Sequence, residues 1–384
     1  MDCQVCAVYW QSWKDDYSKM KLAVLGDTHF GMRGDHLAFH EHYKKFYEEV
    51  FFPYLENHNI RTVVQTGDLF DRRKFISFNT LYLCRKYFFD KFSPIPGKNE
   101  WKHHLHTYVG NHDIYYKNTT EVNSIELLLQ DYIRDGRISL YTEPKTVDFD
   151  GVPIDFIPWI TDDNRDKIAE FMMNSKSQIC FGHFEIEGFE MDKNNVCYEG
   201  MNRDYLQKYE MVISGHFHHR STDGHIFYVG SPGEMTWADY DDPRGFHIFD
   251  TETRQLEFIR NPFKMFHKVV YNDTIDNLET IATKDFSHLH NTMLKVVIEK
   301  KENPMVFDAF MDKLYQARPL EITVVEDFTD YGSISEEDII DQADDTITIM
   351  DKAVESMGMG EAGEKVKRLM RDIYVEAQQH DQIK

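Results

Sequence analysis

Leu22-Ala23-Val24-Leu25-Gly26-Asp27-Thr28-His29 is the stretch on which the reading of this chain turns. Four apolar residues read as a strand and Gly26 ends it. Asp27 and His29 then alternate, so both side chains can point to the same side of a sheet. The pattern recurs down the chain, each time with a glycine beside polar side chains at the end of an apolar run. Residues 62–64 lead into Gly67-Asp68-Leu69-Phe70-Asp71, residues 105–109 into Gly110-Asn111-His112-Asp113, and residues 179–181 into Gly182-His183. Residues 211–213 lead into Gly215-His216-Phe217-His218, and residues 226–229 into Gly230-Ser231-Pro232-Gly233. Strands laid side by side gather these ends on one rim, where α/β folds bind ligands.

The residue types on that rim suit divalent metals. Asp27 and His29 can chelate one ion, and His218 can return to it. Asp68, from the next strand, can offer one oxygen to each of two ions. Asn111 supplies a neutral oxygen to the second ion, and His183 and His216 supply imidazoles. Hard oxygens mixed with imidazoles suit manganese, with magnesium, iron or zinc as substitutes. Two such ions about 3.5–4 Å apart activate a water and clamp the oxygens of an in-line displacement, the requirement of a phosphate ester. His112 has no metal to hold in this scheme. It is the candidate to assist the scissile phosphate or protonate the leaving oxygen, with Asp71 or Asp113 orienting its ring.

Bulk composition narrows the setting. The five cysteines are few, odd in number and scattered, which fits a reducing, cytoplasmic compartment. Cys3-Gln4-Val5-Cys6 lacks the second pair that a zinc site needs. The first 19 residues carry no basic start followed by an apolar stretch, and Met20 stands directly before the first strand, so residues 1–19 read as an extension. No apolar run is long enough to span a bilayer. A net charge of −23 argues against broad electrostatic attachment to nucleic acid, so any DNA contact must rely on metals, a few local cations or a partner.

Residues 20–262 alternate strand-like runs with helical stretches near 38–58, 75–92, 120–135, 163–175 and 202–209, the pattern of a layered α/β domain. Asn261-Pro262 closes it. In residues 263–330, strand-like runs at 293–298 and 320–325 flank a helical stretch at 306–317, giving a small α+β domain. In residues 331–384, Ser335 followed by Asp338 resembles a capping box. Ile340, Ala343, Ile347, Met350 and Val354 then form a narrow apolar seam. After Gly358 and Gly360, Val366, Leu369, Met370, Ile373 and Ala377 repeat at helical spacing. Two short amphipathic helices of this kind suit docking on a partner.

Taken in order, D-x-H, G-D-x-x-D, G-N-H-D, G-H and G-H-x-H resemble the calcineurin-type metallophosphoesterase superfamily. Within it, the second and fifth motifs and Gly230-Ser231-Pro232 resemble the SbcD/Mre-eleven nucleases. Asp242-Pro243-Arg244-Gly245-Phe246, running into Phe249-Asp250-Thr251-Glu252-Thr253, is similar to the bacteriophage branch of that family. The match covers about residues 20–260. It implies a two-sheet sandwich flanked by helices, followed by a capping domain and a C-terminal helical hairpin. It assigns Asp27, His29, Asp68 and His218 to one manganese and Asp68, Asn111, His183 and His216 to the other, with His112 catalytic. It further implies a DNA exonuclease and endonuclease that works with an SbcC/Rad-fifty-type coiled-coil ATPase, gripped through the C-terminal helices. Asp71 stands where archaeal and eukaryotic relatives have a histidine, so that histidine's role does not transfer.

Weaker signals complete the reading. Arg72, Arg73 and Lys74 follow the second motif, and Arg220 follows the fifth; all four are candidates to guide a DNA backbone. His103, His104 and His106 cluster without carboxylates at ligand spacing and are expected to hold no metal. The stretch 75–92 is apolar on more than one face, and family members commonly dimerise through helices in this region, so a homodimer is expected. Two rival functions remain: a phosphoesterase acting on small phosphodiesters or phosphoproteins, and an inactive scaffold whose tail recruits a motor.

Overall fold

A computed structural model describes residues 20–326 except 99–101, 192, 194–195 and 199, together with residues 354, 363, 365–367 and 369. The chain divides into two compact units. The first runs to His267 and also takes Lys284–Leu294 and Asp312–Ile322; the second comprises Lys268–Thr283, Lys295–Met311 and the chain from Thr323.

The first unit is built on two six-stranded sheets. In the first sheet, β1 (Lys21–Leu25), β2 (Thr62–Gln65), β3 (His104–Tyr108) and β4 (Ile138–Tyr141) run parallel in that order. The second sheet contains β5 (Lys145–Phe149), β6 (Val152–Ile157), β7 (Ile179–His183), β8 (Met211–Gly215), β9 (Ser221–Thr222) and β10 (Ile226–Tyr228). They lie in the order β5-β6-β7-β8-β10-β9, with β6, β7, β8 and β10 parallel. The chain then returns to the first sheet, where β11 (Gly245–Asp250) pairs antiparallel with β1 and β12 (Leu256–Arg260) borders β11.

Alternation along the strands makes the layers. Leu22, Val24, Val64 and Tyr108 face the space between the sheets and pack with Phe156, Phe181, Ile213 and Phe249. Ala23, Leu25, Val63 and Leu105 face outward onto Phe46, Tyr47, Phe51 and Phe88. On the far side of the second sheet, Cys180 and Val212 pack with Ile168 and Met172 from the helix Arg165–Asn174. Strands buried on both faces read as continuous apolar runs, which is why each motif is preceded by one. The expected two-sheet sandwich with flanking helices is what forms.

The helices depart from expectation in three places. The stretch expected at 38–58 is helical from Leu37 to Asn57 but widens to a π-turn at Tyr47–Phe51. Pro53 has no N–H to continue the ordinary ladder there. The stretch expected at 120–135 splits into Ser124–Leu128 and Gln130–Arg134, because Leu129 leaves the helical region at φ −119°. The stretch expected at 202–209 shrinks to a 3₁₀ turn, Arg203–Leu206. The stretch 75–92 forms the helix Phe78–Tyr87, capped by Ser77 Oγ on Thr80 N–H. It buries Cys84 and Tyr87 and leaves Phe78 90% and Tyr82 61% exposed.

A three-stranded sheet, β13-β14-β15, is formed by β13 (Phe266–Asn272), β14 (Met293–Lys300) and β15 (Glu321–Glu326), with the helix Pro304–Ala317 between the last two in sequence. Within the second unit, Tyr271 stacks edge-on against Phe307 at 5.1 Å. The helices expected at 340–354 and 366–377 lie almost wholly outside the described residues, as do residues 1–19. Among the described residues no helix is long and apolar enough to cross a membrane.

Candidate metal centre

The five loops that follow β1, β2, β3, β7 and β8 are tied to one another through the backbone. Thr28 and His29 N–H groups donate to Asp68 O at 3.2 and 3.1 Å, and Phe30 N–H donates to Leu69 O at 2.9 Å. The buried Asp113 carboxylate accepts from Leu69, Phe70 and Gly110 N–H groups at 3.0, 3.2 and 2.9 Å, joining the second motif to the third. His216 N–H donates to Asp27 Oδ2 at 2.9 Å, bringing in the fifth. His183 Nδ1 lies 2.7 Å from Thr66 O, bringing in the fourth.

These ties hold unusual backbone. His29, Asp68 and His216 have φ of 42°, 52° and 88°, a left-handed region that costs a non-glycine residue on the order of 1–3 kcal/mol. Two glycines make the close approach possible. A Cβ on Gly67 (φ +89°) would fall 2.6 Å from His183 Nδ1, and one on Gly110 would collide with the Asp68 carboxylate.

Seven side chains chosen from sequence converge on one centre. Asp27, His29 and His218 form one set of donors and Asp68, His183 and His216 another, and a third set, His29, Asp68 and His112, links the two. His218 Nε2 stands 3.0 Å from His29 Nε2 and 4.0 Å from Asp27 Oδ2. Asn111 Oδ1 stands 3.0 Å from both His183 Nε2 and His216 Nδ1. Asp68 lies between the sets, with Oδ2 at 3.3 Å from His183 Nε2 and 3.7 Å from His29 Nε2. Asp68 Oδ2 faces both sides, and Oδ1 accepts from His112 N–H at 2.7 Å.

The donor chemistry fits divalent cations. Thr66 O can only accept, so His183 Nδ1 carries a proton, and its Nε2 faces two further acceptors, Asn111 Oδ1 and Asp68 Oδ2. His29 Nε2 and His218 Nε2 likewise face each other. Positive charge, as a second proton on these rings or as a divalent cation in its place, is what such a buried arrangement calls for. Electrostatics agree. Burial pushes the Asp27 carboxyl up to about 7 against the pull of His183. Burial would raise Asp68 too, but His183, His29 and His112 outweigh it and hold that carboxyl well below the usual range. Burial would lower His29 and His183, yet the surrounding carboxylates raise both to about 9. The pocket draws positive charge to itself.

His112 sits at the junction, its ring 4.7 Å from the His29 ring and nearly perpendicular to it. Its Nδ1 donates to the main-chain carbonyl of Asp71 at 2.6 Å. Neither carboxylate expected to orient it does so: Asp113 is occupied by backbone N–H groups, and Asp71 Oδ1 lies 3.5 Å from His29 Nδ1. Arg72 reaches Asp35 and Asp71 at 3.8 and 4.0 Å. Lys74 lies over the Tyr115 ring at 5.8 Å and Arg220 over the Phe258 ring at 4.3 Å. Arg73 is half-buried with a buried guanidinium nitrogen that has no hydrogen-bond partner. His103, His104 and His106 stay out of the centre, contacting Ile60 O, Ser139 Oγ and Tyr141 OH.

Residues 20–220 match the calcineurin-like phosphoesterases. The chain belongs to that family. Exonuclease subunit 1 of Enterobacteria phage T4 is 34% identical to it over 299 residues, 77% of this chain and 82% of the phage protein. A solved structure described as a novel archaeal phosphodiesterase is 16% identical and aligns with 63% of this chain and 100% of its own, at a TM-score of 0.32.

Two features of this phosphoesterase escaped the sequence reading. Arg244 is 5% exposed; its guanidinium binds Asp239 and Asp242 at 2.7 Å and Ser231 Oγ at 2.9 Å, and also clasps the His218 carbonyl. Its sequence signal, Asp242-Pro243-Arg244, pointed to a resemblance and not to this task. Trp159 lies over the His216 ring with centroids 5.1 Å apart. It follows the end of β6, so the rule that ligands gather at strand ends had the power to find it.

Proposed function

We propose that this chain is a manganese-dependent DNA exonuclease and endonuclease subunit of a recombination and DNA end-processing complex. The observation that carries this reading is the convergence of Asp27, His29 and His218 with Asn111, His183 and His216 on the two sides of Asp68. In this reading Asp27, His29, Asp68 and His218 hold one ion and Asp68, Asn111, His183 and His216 the other. When bound, two divalent ions supply Lewis acidity that activates a water and neutralises charge growing on a phosphate. His112 keeps its Nδ1 proton on Asp71 O, and burial lowers the ring's pKa, which leaves Nε2 unprotonated and able to take up a proton in the reaction and pass it to the leaving oxygen. Asp71 acts through its carbonyl and through its carboxylate beside His29. Arg72, Arg73, Lys74 and Arg220 guide the DNA backbone at the rim.

The T4 relative is named as a subunit, which supports a partner. Its class in this proposal is an SbcC/Rad-fifty-type coiled-coil ATPase, held by the helices expected within residues 331–384. Residues 20–262 form the nuclease domain and 263–330 the capping domain. A homodimer forms through the helix Phe78–Tyr87, whose Phe78 and Tyr82 face solvent. The work is done in the host bacterial cytoplasm.

A second reading is favoured by one observation, the net charge of −23: hydrolysis of small phosphodiesters or phosphoproteins. Comparing bis-p-nitrophenyl phosphate with labelled linear duplex DNA at low salt, with Mn2+, separates the two. Attack on both supports the nuclease. Attack on the small ester alone, persisting when an ATPase partner is added, favours the rival.

A further inference from the structure

A cavity of about 600 Å³ opens beside the metal-donor cluster, and His183 forms part of its wall. Trp159 forms another part, with its indole 5.8 Å from the His183 ring and tilted 38° over that of His216. The main chain that carries the indole is fixed on both sides: the Trp159 backbone N–H donates to Val109 O at 2.8 Å, and the Asn164 amide donates to the Trp159 carbonyl at 3.0 Å. The apolar side chains of Ile168 and Met172 line it too, as does Tyr205, which is 67% exposed. The acidic groups Glu185 and Asp166 also line the space. Arg165 is the one Lys or Arg among the described lining residues, and it lies 3.5 Å from Asp162.

We infer that this cavity receives an unstacked nucleobase of a nucleotide adjoining the scissile phosphate. The inference rests on the nuclease reading and extends it to the form of DNA that is cut. Size and lining both select the occupant. The volume lies within the range of small-molecule sites, and apolar walls with a few polar groups are their usual composition. An acidic lining disfavours a phosphate backbone but offers acceptors to the amino groups of a base. The indole offers a π-face, and such stacking tolerates any base. A base can enter only after leaving the duplex stack, so frayed, mismatched or single-stranded ends are preferred over paired ones.

The test uses the full chain with Mn2+ and oligonucleotides that carry either a base or an abasic tetrahydrofuran residue on each side of the scissile phosphate. Base-bearing DNA is expected to be cut about tenfold faster than the abasic form, the order of one stacked base. Ala169→Trp, on the helix Arg165–Asn174, fills the cavity, and Trp159→Ala removes its stacking face. In both variants that ratio is expected to fall toward one. The ratio is internal to each preparation, so a general loss of activity cancels. A native ratio near one, or a ratio unmoved in both variants, overturns the inference.

A second measurement is independent of cutting. The fluorescence of 2-aminopurine deoxyribonucleoside 5′-monophosphate is expected to be quenched by the native chain and not by Ala169→Trp. Quenching without any DNA cleavage would sink the nuclease reading while supporting the base site. Cleavage without quenching would sink the base site and leave the nuclease standing.

Discussion

Gly110 shows how little room the donor cluster leaves, since even a methyl group there would strike the Asp68 carboxylate. Gly110→Ala should therefore displace Asp68 and weaken Mn2+ binding about 10- to 100-fold, the scale of a disturbed ligand orientation. Titration followed by electron paramagnetic resonance checks this, and unchanged affinity would mean that Asp68 is not a ligand. The donors themselves were legible in the sequence because a glycine beside Asp, Asn or His after an apolar run is a local signal. Asp113 and Arg244 were not legible in their true roles. Each works on backbone groups that the fold alone brings near: Gly110 together with the distant Leu69 and Phe70 for one, the His218 carbonyl for the other. The orientation of His112 was misjudged for a similar reason. Sequence reveals nearby carboxylates, but the group that takes its Nδ1 proton is a main-chain carbonyl.

At the scale of elements, strands were easier to read than helices. Parallel strands buried on both faces leave unbroken apolar runs, whereas the helix breaks at Leu129 and in the turn at Tyr47–Phe51 depend on backbone detail. The space between the two sheets is filled by large rings. Phe156 is fully buried there and stacks on Phe181 at 5.6 Å. Phe156→Ala should cost about 3–5 kcal/mol in urea unfolding, and a loss below 1 kcal/mol would show that the sheets close over the gap. Arg244 joins β11 to the turn before it and to the loop carrying His218. Arg244→Met leaves Asp239 and Asp242 buried without their cation and should cost about 3–5 kcal/mol. Adding Asp239→Asn and Asp242→Asn should restore part of that stability. If the triple variant is weaker still, the charges are not what the arginine serves.

For the whole molecule, acid should be more harmful than the excess of carboxylates suggests. Burial holds the imidazoles of His42 and His103 down to about 4, and those of His106 and His247 down to about 3. As the pH falls from about 6.5 to about 4.5, the unfolded chain takes up protons on these rings and the folded chain does not. Stability therefore falls. Glu234 and Asp113, both pushed up to about 7 by burial, work in the opposite direction and offset two of the four. The net loss is at most about 1.4 kcal/mol per pH unit for each uncompensated histidine. Urea midpoints of the metal-loaded protein at pH 7 and 5 measure it, and a midpoint that rises on acidification contradicts the burial of these rings. The net charge of −23 was legible from the start, and it makes bound cations the natural bridge to DNA. In the proposed function, two donor sets around Asp68, with His112 beside them, cut DNA. The most direct measurement is Mn2+-dependent release of nucleotides from labelled linear duplex DNA by the native chain and by His112→Ala, with bound Mn2+ counted in both. Two ions are expected in each protein, with a rate lowered about 10²- to 10⁴-fold in the variant. Equal rates, or a single ion in the native chain, would contradict it.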